Sequence, residues 1–304
     1  MISFKQLTYA LAVEKTRHFK RAAALCSVSQ SALSTAISEL EKQLGVQIFE
    51  RDNKKVLITS VGAQVLEKAK NIKLEIDGLH LLGQEKGVVL GHPMTIGVIP
   101  TIGPYLLPKV LPEVRRQYPD FKLTIAEEQS HVLVEMVRSG EIDTAILALP
   151  YAHSGLHAFD FWDEDFYVIA HASDVSKNQT MITSKELDAR RLLLLKDGHC
   201  LKDHALSACR LPAIDLDHSL AGTSLNTLVQ MVAGRMGTTL VPHMALDQML
   251  YESSDLRALK LNEPGPHRTL SFITRPNYVG IENIERLMDL FRAQLIEYSC
   301  KASL

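Results

Sequence analysis

Apolar residues in the first 60 positions repeat at helical spacing in three short segments. Ser3 is placed to cap the first helix, and a second helix is predicted to begin near His18. The third is predicted from about Ser29 to Gly45, because a glycine is suited to end a helix. Their apolar faces are Phe4, Leu7 and Leu11; Phe19, Ala22 and Ala23; and Leu33, Ile37, Leu40 and Leu44.

The second and third helices, joined by the short turn 26–28, have the pattern of a helix-turn-helix. The third begins with short polar side chains, which suit a recognition helix because they reach base edges and phosphates. The segment 48–59 is predicted to form a short basic wing, so residues 1–60 are predicted to be a winged helix-turn-helix domain rich in α-helix. The candidate DNA contacts are Ser29, Gln30, Ser31 and Ser34 on the helix and Arg51, Lys54 and Lys55 on the wing.

A long helix is predicted from Ser60 to about Gly83. Its apolar positions alternate at spacings of four and three, and this 3.5-residue period indicates a short coiled coil. Residues 61–88 are therefore interpreted as a linker helix that joins two copies of the chain. A helix packed on its own domain stays open as the alternative, since the pattern covers only two heptads. The seam is Val65, Ala69, Ile72, Ile76 and Leu79.

Beyond the Gly- and Pro-containing segment 87–93, strand-like and helix-like patterns alternate to the end of the chain. Such alternation predicts an α/β domain over residues 89–304 with a mostly parallel sheet. The domain is long enough for two subdomains. The predicted strands are 95–99, 121–126, 144–149, 166–170, 192–195, 238–241 and 269–274, and the helices include 130–140 and 281–298.

Composition places the chain among ordinary globular proteins. With 304 residues, 46% hydrophobic and 22% charged, it is not a wholly disordered chain. The apolar runs are far shorter than the roughly 18 residues of a membrane span, and the start lacks the pattern of a secretion signal, so a cytoplasmic protein without membrane association is expected. Residues 1–60 hold nine Lys/Arg and five Asp/Glu, although the net charge is −2, which favours a nucleic-acid-binding head.

Four cysteines, Cys26, Cys200, Cys209 and Cys300, are too few and too scattered for a structural disulfide framework. Any disulfide is therefore expected to be a signal or a catalytic step. The sequence has no metal, nucleotide or phosphate-loop motif, so we expect no cofactor.

Five stretches of the first 60 residues together resemble the winged helix-turn-helix of LysR-type transcription regulators. The resemblance implies an effector domain like the periplasmic binding proteins, with two α/β subdomains joined by two crossing strands. Subdomain I is expected to comprise residues 89–163 and 268–304, and subdomain II residues 164–267, with the crossings near 162–166 and 266–268. The stretches are 19–23, 28–34, 37–41, 44–46 and 49–51.

The effector domain resembles the members of that family that sense hydrogen peroxide. The segments 99–108, 193–203 and 223–225 carry the likeness, above all Gly-His-Cys-Leu-Lys-Asp with a second cysteine nine residues on. The resemblance implies that Cys200 is the peroxidatic residue and Cys209 the resolving residue. It also implies a non-enzymatic activator that binds promoter DNA and RNA polymerase, assembles from homodimers into a homotetramer, and is reset by glutaredoxin or thioredoxin. The implied peroxide-pocket residues are Thr101, Ser130, His199, Lys202, Asp203 and Thr223.

Three positions depart from the peroxide-sensor pattern. Ser130 stands in place of Thr, Lys202 in place of Arg, and Asn226 in place of an acidic residue. Ser130 keeps a hydroxyl but lacks the methyl that fixes its rotamer, and Lys202 keeps a charge but lacks the bidentate fork. These changes bear on the reactivity of the site.

Peroxide oxidises a thiolate, so a sensing cysteine is expected to have a lowered pKa and access to solvent. His199 and Lys202 are expected to supply positive charge, and Gly198 the tight turn that exposes the sulfur. If the segment between the cysteines is helical, nine residues separate their backbones by roughly 13 Å. A disulfide needs Cα atoms within about 7 Å, so the segment must unwind before the bond forms.

Other interpretations stay open from the residues alone. The chain could be a LysR-type regulator of a small organic effector held between the subdomains, or a thiol peroxidase, although an enzyme has no need of the helix-turn-helix. His199, Cys200, His204 and Cys209 could be proposed as a zinc site, but adjacent ligands do not match the usual spacing. Thr101 and Ser130 could be simple helix caps, and Cys26 and Cys300 are expected to take no part in redox chemistry.

The two sets of DNA-contacting residues predict different phenotypes. Lys54→Ala should weaken binding to all sequences and lower the slope of log K against log salt by about one, because it removes a phosphate contact. Gln30→Ala should mainly relax sequence preference, because it removes a base contact. Binding of operator and unrelated duplexes over a salt series measures both effects. Equal loss of preference in the two variants would contradict the assignment.

Overall fold

The computed structural model describes residues 1–52, 55–83, 88–210, 222, 224–250 and 255–301. Lys54 and Thr223 lie outside the described residues. The chain divides into two compact units, residues 1–87 and 88–304.

The first unit contains three short helices, a two-stranded wing and one long helix. Ser3 and Gln6 form a capping box at the first helix, and Ser29 Oγ accepts the Ala32 N–H at the third. Gly45 ends the third helix with φ +68°, a left-handed conformation that favours glycine. The elements are α1 (Phe4–Thr16), α2 (Phe19–Leu25), α3 (Gln30–Leu44), β1 (Phe49–Asp52), β2 (Lys55–Ile58) and α4 (Ser60–Gly83), with β1 and β2 antiparallel.

Helix α4 has two different halves. Leu66 and Ala69 are buried in the core of the first unit, and Lys70 Nζ forms an ion pair with Glu14 of α1 at 2.8 Å. Further along, Ile72 and Leu79 are 45% and 67% exposed. The first half therefore packs on its own domain, whereas the second half leaves apolar positions of the predicted seam at the surface.

The second unit is built around two five-stranded sheets. The first sheet contains β3 (Met94–Val98), β4 (Leu123–Glu127), β5 (Thr144–Leu149), β6 (His157–Glu164) and β12 (Arg268–Thr274). The second contains β7 (Phe166–His171), β8 (Met181–Ile182), β9 (Leu192–Leu193), β10 (Thr238–Pro242) and β11 (Leu256–Leu261). The strand order is β4-β3-β5-β12-β6 in the first sheet and β8-β11-β7-β10-β9 in the second.

Both sheets are mixed, so the prediction of a mostly parallel sheet is wrong. In the first sheet β3 pairs in parallel with β4 and β5, whereas β12 pairs antiparallel with β5 and β6. The chain leaves the first sheet after β6, builds the second, and returns at β12 from the opposite direction. This return, which the local pattern of β12 does not encode, makes the pairing antiparallel.

Helices cover the sheets of the second unit. The helices are α5 (Gly103–Gln117), α6 (Ser130–Ser139), α7 (Cys200–Ala208), α8 (Leu225–Ala233), α9 (Leu246–Met249) and α10 (Ile281–Lys301). Pro104 at the start of α5 and the left-handed Gly140 after α6 mark helix boundaries that the sequence pattern also indicates. None of the helices within the described ranges has the length and apolarity to cross a membrane.

Candidate redox site and DNA interface

Cys200 is the first residue of α7, and Cys209 caps the same helix at its other end. Gly198 has φ +97°, so glycine permits the turn that leads into the helix. Both cysteines are free thiols. The nine-residue helix therefore holds the two thiols apart.

The Cys200 thiol is buried, with only 3% of the residue exposed. Burial raises the pKa of this thiol, because a dry environment disfavours the thiolate. The expectation of an exposed thiol with a lowered pKa is therefore wrong for this form of the protein. The turn exposes Asp197 and Gly198 instead, while α7 directs Cys200 toward the end of β5.

Three groups oppose the effect of burial on Cys200. The Ser130 hydroxyl lies close enough to the sulfur to lower the thiol pKa, although the contact falls short of a full hydrogen bond. The positive charge of Arg268 and the backbone of Ala148 lower it further. Asp203 acts in the other direction, because its negative charge raises the thiol pKa.

His199 and Lys202 do not supply the positive charge that the sequence suggests. Lys202 Nζ pairs with Asp197 at 2.7 Å, and Asp203 is exposed at the surface of α7. Burial lowers the pKa of His199, so its ring is neutral at pH 7, and its Nε2 lies 3.5 Å from the Gln129 amide nitrogen. His199 and Lys202 therefore lie close to Cys200 along the chain, but neither one is its cationic partner.

Arg268 is the charged residue of the site that sequence reasoning missed. Its Nε and Nη2 donate to the same oxygen of Glu164, at 2.8 and 2.6 Å, and both side chains are almost fully buried. Nη2 also donates to the Thr101 carbonyl at 3.3 Å. The only local signal is a lone arginine at the start of the apolar strand β12, which does not reveal that this strand begins near Cys200.

Four buried polar atoms have no hydrogen-bond partner among the residues that the structure describes. They are Thr101 Oγ1, Ser130 Oγ, His204 Nδ1 and Arg268 Nη1. Buried polar groups are normally hydrogen-bonded, so a cluster of this kind calls for an explanation. Ser130 and Arg268 both lower the pKa of the Cys200 thiol, and Arg268 also lowers the pKa of the His204 ring. Arg268 Nη2 in addition donates to the Thr101 carbonyl. The thiol thus lies among polar groups that have hydrogen-bonding capacity to offer a small polar molecule.

Cys209 has a different environment. It is 2% exposed, and burial, with a smaller contribution from the Glu263 carboxylate, raises the pKa of its thiol to about 11. At neutral pH Cys209 is therefore protonated and unreactive toward peroxide. The pKa of Cys200 is raised as well, so the two thiols differ instead in their neighbours: the Ser130 hydroxyl and the Arg268 charge lie near Cys200 alone, which suits Cys209 to act second, after the helix has opened.

A cavity of 510 Å³ lies beside His199, the residue that precedes Cys200 in the chain. Thr101 and His199 line it, together with Tyr105, Glu127 and Asn226. Burial and the Glu127 carboxylate raise the pKa of Tyr105 to about 12, so its phenol stays neutral. Cys200 and Ser130 do not line this cavity.

Six of the seven candidate DNA contacts lie at the start of α3 or in the strands of the wing, and Lys54 lies outside the described residues. Ser29, Gln30 and Ser31 are exposed at the start of α3, and Ser34 is half-buried one turn later. Arg51 lies in β1 and Lys55 in β2, the two strands of the wing. The start of α3 thus presents short polar groups at the surface, as a recognition helix requires.

The described residues contain no group of three or more metal-ligating side chains.

Arg268 should control the ionisation of Cys200, whereas Lys202 should not. Arg268→Met combined with Glu164→Gln, which avoids a lone buried carboxylate, should raise the thiol pKa above that of Glu164→Gln alone. Lys202→Met should leave it unchanged, because the ammonium is paired with Asp197. The pH dependence of Cys200 alkylation measures the pKa. Arg268→Met alone should also destabilise the fold by about 3–5 kcal/mol, since it leaves Glu164 buried without a partner. An unshifted pKa in the double variant would contradict this role.

Comparison with known proteins places both units in one family. Residues 4–63 match the model of the bacterial regulatory helix-turn-helix proteins of the LysR family, and residues 90–296 match the LysR substrate binding domain. The regulator EstR of Acinetobacter baylyi is 36% identical over 95% of this chain and 96% of its own. The hydrogen peroxide-inducible genes activator of Dickeya chrysanthemi is 34% identical over 97% of this chain and 96% of its own.

A full-length OxyR variant from Pseudomonas aeruginosa has a similar structure, with a TM-score of 0.78, 33% identity, and coverage of 96% of this chain and 98% of its own. The helix-turn-helix of the first unit and the paired sheets of the second agree with these matches. The chain belongs to the LysR family of transcription regulators, which are DNA-binding proteins and not enzymes.

Proposed function

We propose that this chain is a hydrogen peroxide-sensing transcription regulator whose switch is a disulfide between Cys200 and Cys209. The observation that carries the proposal is the placement of the two free thiols at opposite ends of α7, with Cys200 among unpartnered polar groups. The similarity to a hydrogen peroxide-inducible genes activator and to an OxyR structure supports it.

The chemistry begins at Cys200. Its sulfur attacks one oxygen of hydrogen peroxide, the O–O bond breaks, and Cys200 becomes a sulfenic acid while water leaves. The Cys209 thiol then attacks the sulfenic sulfur, and a second water leaves as the disulfide forms. Thr101, Ser130 and Arg268 are proposed to hold the peroxide.

Helix geometry turns this bond into a signal. At 1.5 Å per residue, the two ends of α7 are roughly 13 Å apart, about twice the Cα separation that a disulfide allows. Disulfide formation must therefore unwind α7 and release the packing of its buried residues, such as Leu201 and Ala205. We propose that this rearrangement changes how the subunits assemble and so how α3 and the wing engage promoter DNA.

The assembly and its partners follow from the same proposal. Two copies are proposed to pair through α4, and dimers to form a homotetramer that contacts RNA polymerase at the promoter. A thiol reductant such as glutaredoxin or thioredoxin would reset the disulfide. A regulator that binds the chromosome and is reset by thiols would act in the cytoplasm.

A second candidate is a regulator that answers a small organic effector. The 510 Å³ cavity is within the size range of small-molecule sites, far larger than hydrogen peroxide needs, and the similarity to EstR adds weight. In this alternative the cavity holds the effector, and the cysteines are buried hydrophobic residues.

Thiol counting separates the two candidates. Near-stoichiometric hydrogen peroxide should consume two thiols of the reduced protein, and peptide mass analysis should find Cys200 linked to Cys209. Cys200→Ser should abolish this response and the change in transcription, while DNA binding of the reduced form persists. Cys209→Ser should stop at the sulfenic acid, which then over-oxidises or joins an outside thiol.

Cys26→Ser and Cys300→Ser serve as matched controls, and both should respond like the unmodified chain. If Cys200→Ser still switches transcription with peroxide, the redox proposal is wrong and the cavity becomes the site of induction.

The surface of α4 generates a prediction about assembly. Ile72→Asp should dissociate the dimer and weaken operator binding, because it places an unpaired charge in an apolar interface. Glu75→Asp, a conservative change at a position outside the predicted seam, is the control. Sedimentation velocity measures the effect, and an intact dimer would exclude α4 as the interface.

A further inference from the structure

His204 is a buried histidine one helical turn after Cys200, and the function proposed above gives it no role. Residues four apart in a helix lie on the same face, so His204 and Cys200 face the same neighbours. His204 Nε2 lies 2.9 Å from the carbonyl oxygen of Pro150, just after β5, and Cys200 lies against the backbone of Ala148 within β5. Both side chains therefore face the carboxyl end of one strand.

The contact with Pro150 fixes which nitrogen of His204 carries the hydrogen. A carbonyl oxygen can only accept, so Nε2 must be the donor. In the neutral ring Nδ1 then holds a lone pair and can accept a proton. This atom is fully buried, and the described part of the chain offers it no hydrogen-bond partner. Burial, aided by the charge of Arg268, lowers the ring's pKa and keeps this form populated at pH 7.

Among the four unpartnered atoms of the site, His204 Nδ1 has a distinct chemical capacity. Arg268 can only donate, and the hydroxyls of Thr101 and Ser130 can donate or accept but titrate far outside the physiological range. Hydrogen peroxide carries two O–H donors, so it needs acceptors in such a pocket. Oxidation of a protonated, buried thiol also requires a group that takes up its proton.

We propose that His204 is the proton-transfer residue for oxidation of Cys200, with hydrogen peroxide bound between His204 Nδ1 and the Cys200 sulfur. The inference rests on the proposed peroxide-sensing function and identifies the base that the buried thiol requires. It also gives the unpartnered Nδ1 a ligand.

In the proposed step, His204 relays the proton of the Cys200 thiol to the departing oxygen of the peroxide. Nδ1 takes up one proton as the thiol ionises, the sulfur bonds to the nearer peroxide oxygen, and the O–O bond breaks. Nδ1 then gives a proton to the departing oxygen, which leaves as water. Sulfur loses two electrons to the peroxide, and the products are the Cys200 sulfenic acid, water and neutral His204. Because Arg268 disfavours a lasting imidazolium, the proton is relayed and not stored.

The neighbours of His204 determine the expected pH dependence. Cys200 and Asp203 share its helix, Arg268 approaches from β12, and Tyr151, which lies near Cys200 and Asp203, follows β5. Burial raises the pKa of the Tyr151 phenol, so Tyr151 does not titrate in mild acid. As the pH falls through the lowered pKa of His204, Nδ1 becomes protonated and the rate of Cys200 oxidation should fall.

Two amide substitutions in full-length Cys26→Ser/Cys300→Ser protein test the proposal. His204→Gln keeps an N–H near the position of Nε2 and so can retain the bond to Pro150, whereas His204→Asn keeps an amide near the position of Nδ1. Neither amide is a base. Both variants should lose about 10²-fold in the rate of thiol oxidation by hydrogen peroxide at pH 7, and the acid limb of the pH profile should disappear.

Alkylation by iodoacetamide is the control reaction, because its leaving group needs no proton. The ratio of oxidation rate to alkylation rate should fall in both variants. A purely structural role through Pro150 predicts that His204→Gln behaves normally. A His204→Gln rate within twofold of the unmodified chain, with the same pH profile, would overturn the proposal.

If both variants fail to fold, measurements on the unsubstituted protein still test the role of His204. The acid limb of its oxidation rate should coincide with the pKa of His204 measured by NMR, and a mismatch overturns the inference. If the unsubstituted protein loses no thiols to peroxide, the proposed function itself fails. If it reacts and His204→Gln reacts equally, only the role of His204 fails.

Discussion

The buried ion pair between Arg268 and Glu164 stabilises the second unit, and the same arginine acts on the Cys200 thiol. The two residues face each other across β12 and β6, at the point where the chain passes between the two sheets. The other Glu164 oxygen accepts the Met244 N–H at 2.6 Å, so the same carboxylate ties the first sheet to the segment after β10. Removing either charge would leave the other buried and unpaired, which is strongly destabilising.

The same guanidinium reaches the thiol site. It contacts the Thr101 carbonyl, lowers the pKa of Cys200 and lowers the pKa of His204. Cys200 is therefore a buried thiol whose ionisation depends on a charge that the fold needs for its own crossover. The site is dry, and the positive charge that partly offsets the effect of burial on the thiol is already in place and does not have to reorganise at the moment of reaction.

Helix α7 holds two environments apart. At its start, Cys200 lies among polar groups and a cation, and at its end, Cys209 lies in an apolar pocket near a carboxylate. Its short length limits the number of hydrogen bonds that must break when it unwinds, and nine residues form a marginal helix without tertiary packing. The packing of Leu201, Ala205 and Leu206 against the core stabilises the reduced form. The free energy released by disulfide formation must therefore exceed the packing energy that is lost when α7 unwinds.

The sequence by itself determined the local helices and the positions of the reactive cysteines along the chain. Capping residues and glycines placed α3 between Ser29 and Gly45, and the apolar period placed α4. These features depend on neighbours within one or two helical turns, which is why a pattern reveals them. The spacing of Cys200 and Cys209 on one helix belongs to the same class of information.

Only the tertiary structure decided which groups surround the thiol. Lys202 lies two residues from Cys200 but pairs with Asp197, whereas Arg268 lies 68 positions away and supplies the charge. The return of β12 to the first sheet brings Arg268 there, and the end of β5 brings the Pro150 carbonyl to His204. The burial that raises the pKa of Cys200 likewise comes from packing between α7 and distant strands. Electrostatics and desolvation depend on distance in space, and only the folded chain fixes that distance.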